Sequence, residues 1–427
     1  MDEPANDTLL PYEWPGSYYL GQEELDAVTK ALESRSLFRF YGHDLQHYAD
    51  RLEEAYRARL GREYALAVSS GTAALSIAMG MLDVGPGDEV LLPGYFWVSC
   101  ASAVVRAGAI PRLVDIDDTF SMDPADLERK LGGHSKAILM VHMSGATGEL
   151  DRVLEIARRA GVPVIEDVAQ ANGGSYRGRP LGSFGEVAIF SFQFNKAITA
   201  GEGGLVACDD RALYRRAVAL HDLGYPRTDS GRLDAGDPET QLWGFGSRIG
   251  ELTAGVLMAQ ERKLDALVSR MRLLKRRIED GLAGVADLRP RRATDPDGGN
   301  GSFVILIWPD QLACRSIVHA TREAGVRTGE HGLNNLTLEE WGLHLYYNNE
   351  SLVNRRGLNS RGYPWRDPAN AFAADYAYAR GTLPQADELF SRSSLLAIPP
   401  SLSEDAADRI VDVYRDAARR HGLAVGS

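Results

Sequence analysis

Tyr64-Ala65-Leu66-Ala67-Val68-Ser69-Ser70-Gly71-Thr72-Ala73-Ala74-Leu75 is an apolar run that stops on two serines and a glycine and then restarts with small and apolar residues. Residues 64–68 have strand character, and residues 72–81 continue with helical spacing. Gly71 permits a close backbone approach at the junction. The first N–H groups of a helix have no intrahelical partner, so they are available to an anion. A phosphate suits such a junction. The plainer reading is a helix start capped by Ser70 or Thr72.

From about residue 61 to 210 the same alternation repeats. Apolar, strand-like runs at 89–92, 110–114, 137–142, 162–166, 187–192 and 204–208 are interleaved with helical ones at 99–107 and 151–160. This pattern predicts an α/β protein with a parallel, doubly wound sheet and helices on both faces. Ligands of such sheets lie at the C-terminal ends of the strands. Residues 18–60 read as helical, 224–240 as a polar loop and 251–282 as a helix. Near residue 290 the chain changes character. A Gly/Asp turn cluster (295–301), a strand (302–307), a helix (311–324), an irregular aromatic stretch and a last helix (405–421) follow. Two units are therefore expected, a large one over 1–290 with its N-terminal helical segment and a smaller α+β unit over 291–427.

The 427 residues are 44% apolar and 25% charged, with a net charge of −12. That acidic balance argues against nucleic acid or an anionic membrane as the partner. No apolar run reaches membrane-spanning length, and residues 1–6 lack the apolar core of a signal peptide. The expected location is the cytoplasm. Cys100, Cys208 and Cys314 are far apart and form no CxxC pair. Neither a disulfide framework nor a metal site is expected, and buried free thiols are the plain reading.

The ends of the strand-like runs carry the candidate chemistry. Asp167 closes Val162-Pro163-Val164-Ile165-Glu166. A carboxylate there either caps the next turn or holds a pyridinium N–H through a charge-assisted hydrogen bond. Lys196 follows Phe190-Ser191-Phe192-Gln193-Phe194-Asn195 and precedes Thr199-Ala200-Gly201-Glu202-Gly203-Gly204. Interleaved aromatics and a Gly-rich turn suggest a partly buried amine, and burial lowers a lysine pKa and favours Schiff-base chemistry. Trp97, in Pro93-Gly94-Tyr95-Phe96-Trp97, is either a core residue or a ring that stacks on a flat heteroaromatic. Gly244-Phe245-Gly246-Ser247-Arg248-Ile249-Gly250 has the look of a dinucleotide turn, but no buried strand precedes it, as that fingerprint requires. The ordered set is a phosphate cradle, a stacking ring, a strand-end Asp and a lysine 29 positions later (167 to 196). These are the parts of a pyridoxal phosphate (PLP) site.

On these motifs the sequence resembles the DegT/DnrJ/EryC1/StrS aminotransferases, which act on sugars and cyclitols. The motifs are Ser70-Gly71-Thr72-Ala73-Ala74-Leu75, Gly87-Asp88-Glu89-Val90, Glu166-Asp167-Val168-Ala169-Gln170, and Ser191-Phe192 to Lys196 with Gly201-Glu202-Gly203-Gly204. The resemblance runs over residues 17–262 and resumes at 383–403. It implies the aspartate-aminotransferase-like fold (fold type I), with a large doubly wound mixed sheet and a smaller C-terminal α+β unit. It also implies PLP held as a Schiff base on Lys196, which then serves as proton shuttle. Asp167 would pair with the ring nitrogen, Trp97 would stack on the ring and Gln170 would lie near its hydroxyl. Gly71, Thr72 and Ser191 would hold the phosphate.

The resemblance further implies a homodimer with shared active sites, an amino donor (glutamine or glutamate) and a keto-cyclitol or keto-sugar acceptor. The lean is toward aminocyclitols of antibiotic, aminoglycoside-type metabolism. A nucleotide-linked keto-sugar is the alternative. A PLP-dependent sugar dehydratase would carry His in place of Lys196, and a non-catalytic regulatory relative would have lost Lys196 or Asp167. Three departures stand out. Phe96 replaces the usual Thr or Ser, Asn172 replaces His, and Gly246 replaces the interface Asn that reaches the neighbouring phosphate. Ser247 is the first candidate to supply that missing bond, with Arg248 second. The aromatic stretch from Trp341 to Trp365 fits no family pattern. Packing of the smaller unit is its preferred reading and an acceptor-site lining the other.

Overall fold

The computed structural model describes residues 9–11, 14–228, 230–236, 241–328 and 335–426. Seven strands form the main sheet: β1 (Tyr64–Val68), β2 (Glu89–Pro93), β3 (Ile110–Val114), β4 (Ser135–Val141), β5 (Val164–Asp167), β6 (Val187–Ser191) and β7 (Gly204–Cys208), in the order β1-β7-β6-β5-β4-β2-β3. The sheet is mixed. β7 runs antiparallel to both β1 and β6, whereas the other pairs are parallel. The cause is the connection. Residues 192–203 contain no helix, and a parallel return needs a crossover that is usually helical. The reversed strand starts where its neighbours end, with Gly204 opposite both Val68 and Ser191. The Gly-rich turn and the Ser70–Gly71 junction thus meet at one edge.

Alternation along the strands feeds two cores. Leu66, Val68, Val90, Leu92, Ile165 and Ile189 pack under the helices Gly71–Met81, Ser99–Ala107 and Arg211–His221. Ala65, Ala67, Leu91, Ile138, Ala188 and Phe190 pack under Tyr48–Leu60, Leu150–Ala160 and Glu251–Glu261. Strands buried on both faces give the unbroken apolar runs seen in the sequence. The N-terminal segment expected to be helical throughout forms two helices, Gln22–Glu33 and Tyr48–Leu60. The helix expected over 251–282 is broken at residues 262–263.

The second sheet has the antiparallel order β8-β9-β11-β10, from β8 (Arg289–Pro290), β9 (Phe303–Ile307), β10 (Asn335–Thr337) and β11 (Ser393–Ala397). Leu264–Leu282, Gln311–Glu323 and Glu404–Arg420 cover one face through Ile278, Leu306, Trp308, Ile317 and Tyr414. Ile305, Ile307 and Leu395 on the other face join the core of the main sheet. The aromatic stretch begins as short 3-10 turns laid against the end of β2. Tyr95 bridges Leu345, Phe96 N–H donates to His344 O (3.0 Å) and Tyr346 N–H to Gly94 O (3.1 Å). Among the described residues no helix is long and apolar enough to cross a membrane, and no cluster of His, Cys, Asp and Glu could hold a metal.

Candidate active site

The capping reading of the Ser70–Gly71 junction is seen directly, and it is compatible with the phosphate reading. The Ser70 hydroxyl caps the helix Gly71–Met81 by accepting from Ala73 N (3.1 Å). Capping still leaves the N–H groups of Gly71 and Thr72 with no intrahelical acceptor. A Cβ built on Gly71 would lie 2.6 Å from Ser191 Cβ, and one on Gly204 would lie 2.4 Å from Ser70 O. Only glycines allow β6, β7 and the helix start to come this close. Gly71→Ala is expected to cost about 1–3 kcal/mol of stability by overpacking and to weaken PLP binding, read by a thermal melt and a PLP titration. A melt and an affinity equal to the unmutated protein's would contradict it.

Asp167 ends β5 and is almost fully buried. Its Oδ1 accepts Ala169 N–H (2.9 Å) and its Oδ2 accepts the Cys100 thiol (3.2 Å). Burial pushes its carboxyl up, and these two donors with the Lys196 charge pull it partly back. Burial holds the Lys196 ammonium below its ordinary value, against the pull of Asp167 and Cys100. An aromatic cation bound at Asp167 would supply the compensation that the buried carboxylate lacks. Cys100, read from sequence as a plain buried thiol, thus touches the key carboxylate.

Gln170 is fixed at both ends. Its Oε1 accepts Ser144 N–H (3.0 Å) and its main-chain O accepts Asn300 Nδ2 (3.1 Å), which leaves its amide NH2 as the end free to donate. Asn172 donates to the Tyr56 hydroxyl (2.8 Å). Trp97 is 41% exposed. His344 lies against it with ring centroids 4.8 Å apart, and stacks on Trp341 at 4.3 Å and 17°. His344 Nδ1 lies 2.7 Å from Trp341 O. A carbonyl only accepts, so Nδ1 carries the proton and Nε2 is a bare acceptor. Burial, with the Lys196 charge, holds this imidazole down at about 4, neutral at ordinary pH.

A cavity of about 610 Å³ gathers Gly71, Thr72, Trp97, Asp167, Gln170, Ser191 and Lys196, a size that suits a cofactor and a small substrate. The glycine-lined cradle, the under-compensated Asp167 and the depressed Lys196 fit PLP. Trp341, Gly342, Leu343 and His344 line the same cavity, while Tyr346, Tyr347 and Trp365 pack in or against the core. The first part of the stretch thus lines the cavity, whereas the later rings pack against the core of the main sheet and not, as had been expected, in that of the smaller unit. Ser247 does not line the cavity of its own chain. It is buried, and its hydroxyl donates to His221 O at 3.4 Å. Arg248 pairs with Asp222, and Gly246 has φ +65° with open space around it.

The model of the DegT/DnrJ/EryC1/StrS aminotransferase family matches residues 19–354. The chain belongs to this family. The DegT/DnrJ/EryC1/StrS fold is confirmed by solved structures. It is similar to 3-amino-5-hydroxybenzoic acid synthase at 25% identity and a TM-score of 0.77, over 95% of this chain and 98% of that one. DesV of S. venezuelae, in complex with a ketimine intermediate, is 26% identical with a TM-score of 0.74, over 93% and 95%. An aminotransferase from Psychrobacter cryohalolentis shares the fold at 24% identity and a TM-score of 0.78, over 96% and 99%. The chain is thus a PLP-dependent aminotransferase of fold type I.

Proposed function

We propose that this aminotransferase moves an amino group from glutamine or glutamate to the ketone of a cyclitol, or of a sugar without a nucleotide, in secondary metabolism. The observation that carries this reading is the composition of the cavity wall. Trp97, His344 and Trp341 offer ring faces and a neutral acceptor nitrogen. Among the described residues Lys196 is the one cationic side chain lining the cavity, which also meets Glu202 and Glu340. A nucleotide diphosphate calls for arginines or lysines, whereas a polyhydroxylated ring calls for hydrogen-bond partners and aromatic faces.

In this reading PLP supplies the electron sink and carries the amino group between the two substrates. The chain's residues do the rest. Gly71 and Thr72 N–H groups with the Ser191 hydroxyl hold the phosphate, Trp97 stacks on the ring and Gln170 donates to the ring hydroxyl. Asp167 keeps the ring nitrogen protonated. Lys196, with its pKa lowered by burial, holds the cofactor and moves the substrate's Cα proton. The functional unit is a homodimer, with Ser247 or its neighbour Arg248 serving the phosphate of the other site. Exposed apolar residues close in sequence to Ser247 support the dimer: Trp243 is 94% exposed and Phe245 51%. A monomer that is fully active at assay concentration, by light scattering, would refute the dimer.

The direct test is a panel of amino donors and keto acceptors, followed by the absorbance of the loaded enzyme. Turnover confined to nucleotide-linked sugars would overturn the acceptor class. His344→Phe keeps the ring stack and removes the acceptor nitrogen. It is expected to raise the acceptor KM by about 2- to 10-fold, the worth of one hydrogen bond, and to leave the donor half-reaction unchanged. An equal loss in both half-reactions would place His344 away from the acceptor.

A further inference from the structure

Arg291 lies just past β8, 7% exposed, and no carboxylate among the described residues lies within ion-pairing distance of it. Glu279, whose field reaches it, is engaged by Lys275 at 2.6 Å. A buried guanidinium without an anion is costly, so its contacts show what it is retained for. Nη1 donates to Met143 O (3.1 Å) and Nη2 to Ser144 O (2.9 Å). These carbonyls belong to the turn Met143–Gly145 that follows β4. Ser144 sits there in the left-handed region (φ 52°, ψ 40°), an unfavourable place for a residue with a side chain. The Tyr95 hydroxyl meets Ser144 Oγ at 2.7 Å, and Asn300 N–H donates to Gly145 O at 2.8 Å. From this clamped turn Ser144 N–H donates to Gln170 Oε1 at 3.0 Å.

We propose that Arg291 is a positioning residue: its forked guanidinium locks the Met143–Gly145 turn so that Ser144 N–H sets the Gln170 amide with its NH2 toward the cofactor hydroxyl. The inference rests on the role given to Gln170 above. The fork is the essential feature, because two parallel N–H donors reach two successive carbonyls at once, which a lysine cannot do. The smaller unit thereby sets a donor in the larger unit's cofactor site without touching the cofactor.

The test uses the full-length, PLP-loaded protein and the pH midpoint of its visible band. Gln170→Ala removes a donor to the ring oxygen, makes that oxygen more basic, and is expected to raise the midpoint by about one unit. Arg291→Lys keeps the charge and most of the volume and is expected to raise it by a smaller step. Arg291→Gln, with a single amide donor, is the second variant should the first fold poorly. In the double variant with Gln170→Ala the Arg291 substitution is expected to add nothing. A midpoint unmoved by Arg291→Lys or Arg291→Gln, or additive shifts in the double variant, would overturn the proposal while leaving Gln170 in its role. A midpoint unmoved by Gln170→Ala would overturn the Gln170 reading and this one with it.

Discussion

Lys196→Ala is expected to strip the PLP-loaded protein of its visible band and to lower turnover by about four orders of magnitude or more. The size follows from two losses. General acid–base catalysis alone contributes about 10²–10⁴-fold, and the covalent attachment of the cofactor disappears with the same side chain. The structure supplies the reason this lysine is suited to both tasks. Burial depresses its ammonium, and Asp167 and Cys100 counter that only in part, so a neutral amine is available at lower cost than on a solvated lysine. Borohydride reduction followed by peptide mapping checks the assignment, since the unmutated protein should retain the reduced cofactor on the peptide containing Lys196. A variant that still shows the band, or still carries reduced cofactor, would show that another amine does the work.

Asp167→Asn is expected to leave PLP bound and to lower turnover by about 10²–10³-fold, in line with the loss of one preorganised charged group at a reacting centre. Asparagine keeps the shape and can still accept Ala169 N–H through its carbonyl oxygen. The proposed phosphate cradle at Gly71 and Ser191 belongs to other elements, so binding is expected to survive. In the proposed role, what would disappear is the charge that keeps the ring nitrogen protonated and the ring a good acceptor of electrons. The exchange rate of the amino donor's Cα proton is the measurement. A rate within a few-fold of the unmutated protein's would remove Asp167 from the mechanism.

The sequence made the strand-to-helix junctions legible because their chemistry is local. Gly71 after two serines, Asp167 at the end of an apolar run and Lys196 before the Gly-rich turn each combine residue type with position, and the cavity collects all three. The resemblance implied a mixed sheet, as found, but the strand pattern alone predicted a parallel one and hid the reversal of β7. A strand buried on both faces reads alike in either direction, and only the helix-free connection over residues 192–203 hints at it. Cys100, Ser144 and Arg291 left no signal, because their partners are 49 or more positions away in the chain: Asp167 for Cys100, Tyr95 for the Ser144 side chain and Met143 for Arg291. His344 and Trp341 were seen but not placed, since 3-10 turns show no periodicity and their position depends on hydrogen bonds to Gly94 and Phe96.

That short ladder has a consequence for anyone redesigning the enzyme. Tyr95 pairs with Leu345, and the bonds on either side fix which side chains of the segment face inward. Exchanging Trp341, Leu343 or His344 one at a time changes the wall and leaves its frame in place. Inserting or deleting a single residue between Gly342 and Leu345 breaks the register of this pairing and displaces the wall residues that it holds. Substrate scope is therefore better altered by substitution within this segment than by grafting loops of other lengths. Chimeras should be cut outside residues 341–346, where the ladder is not at stake.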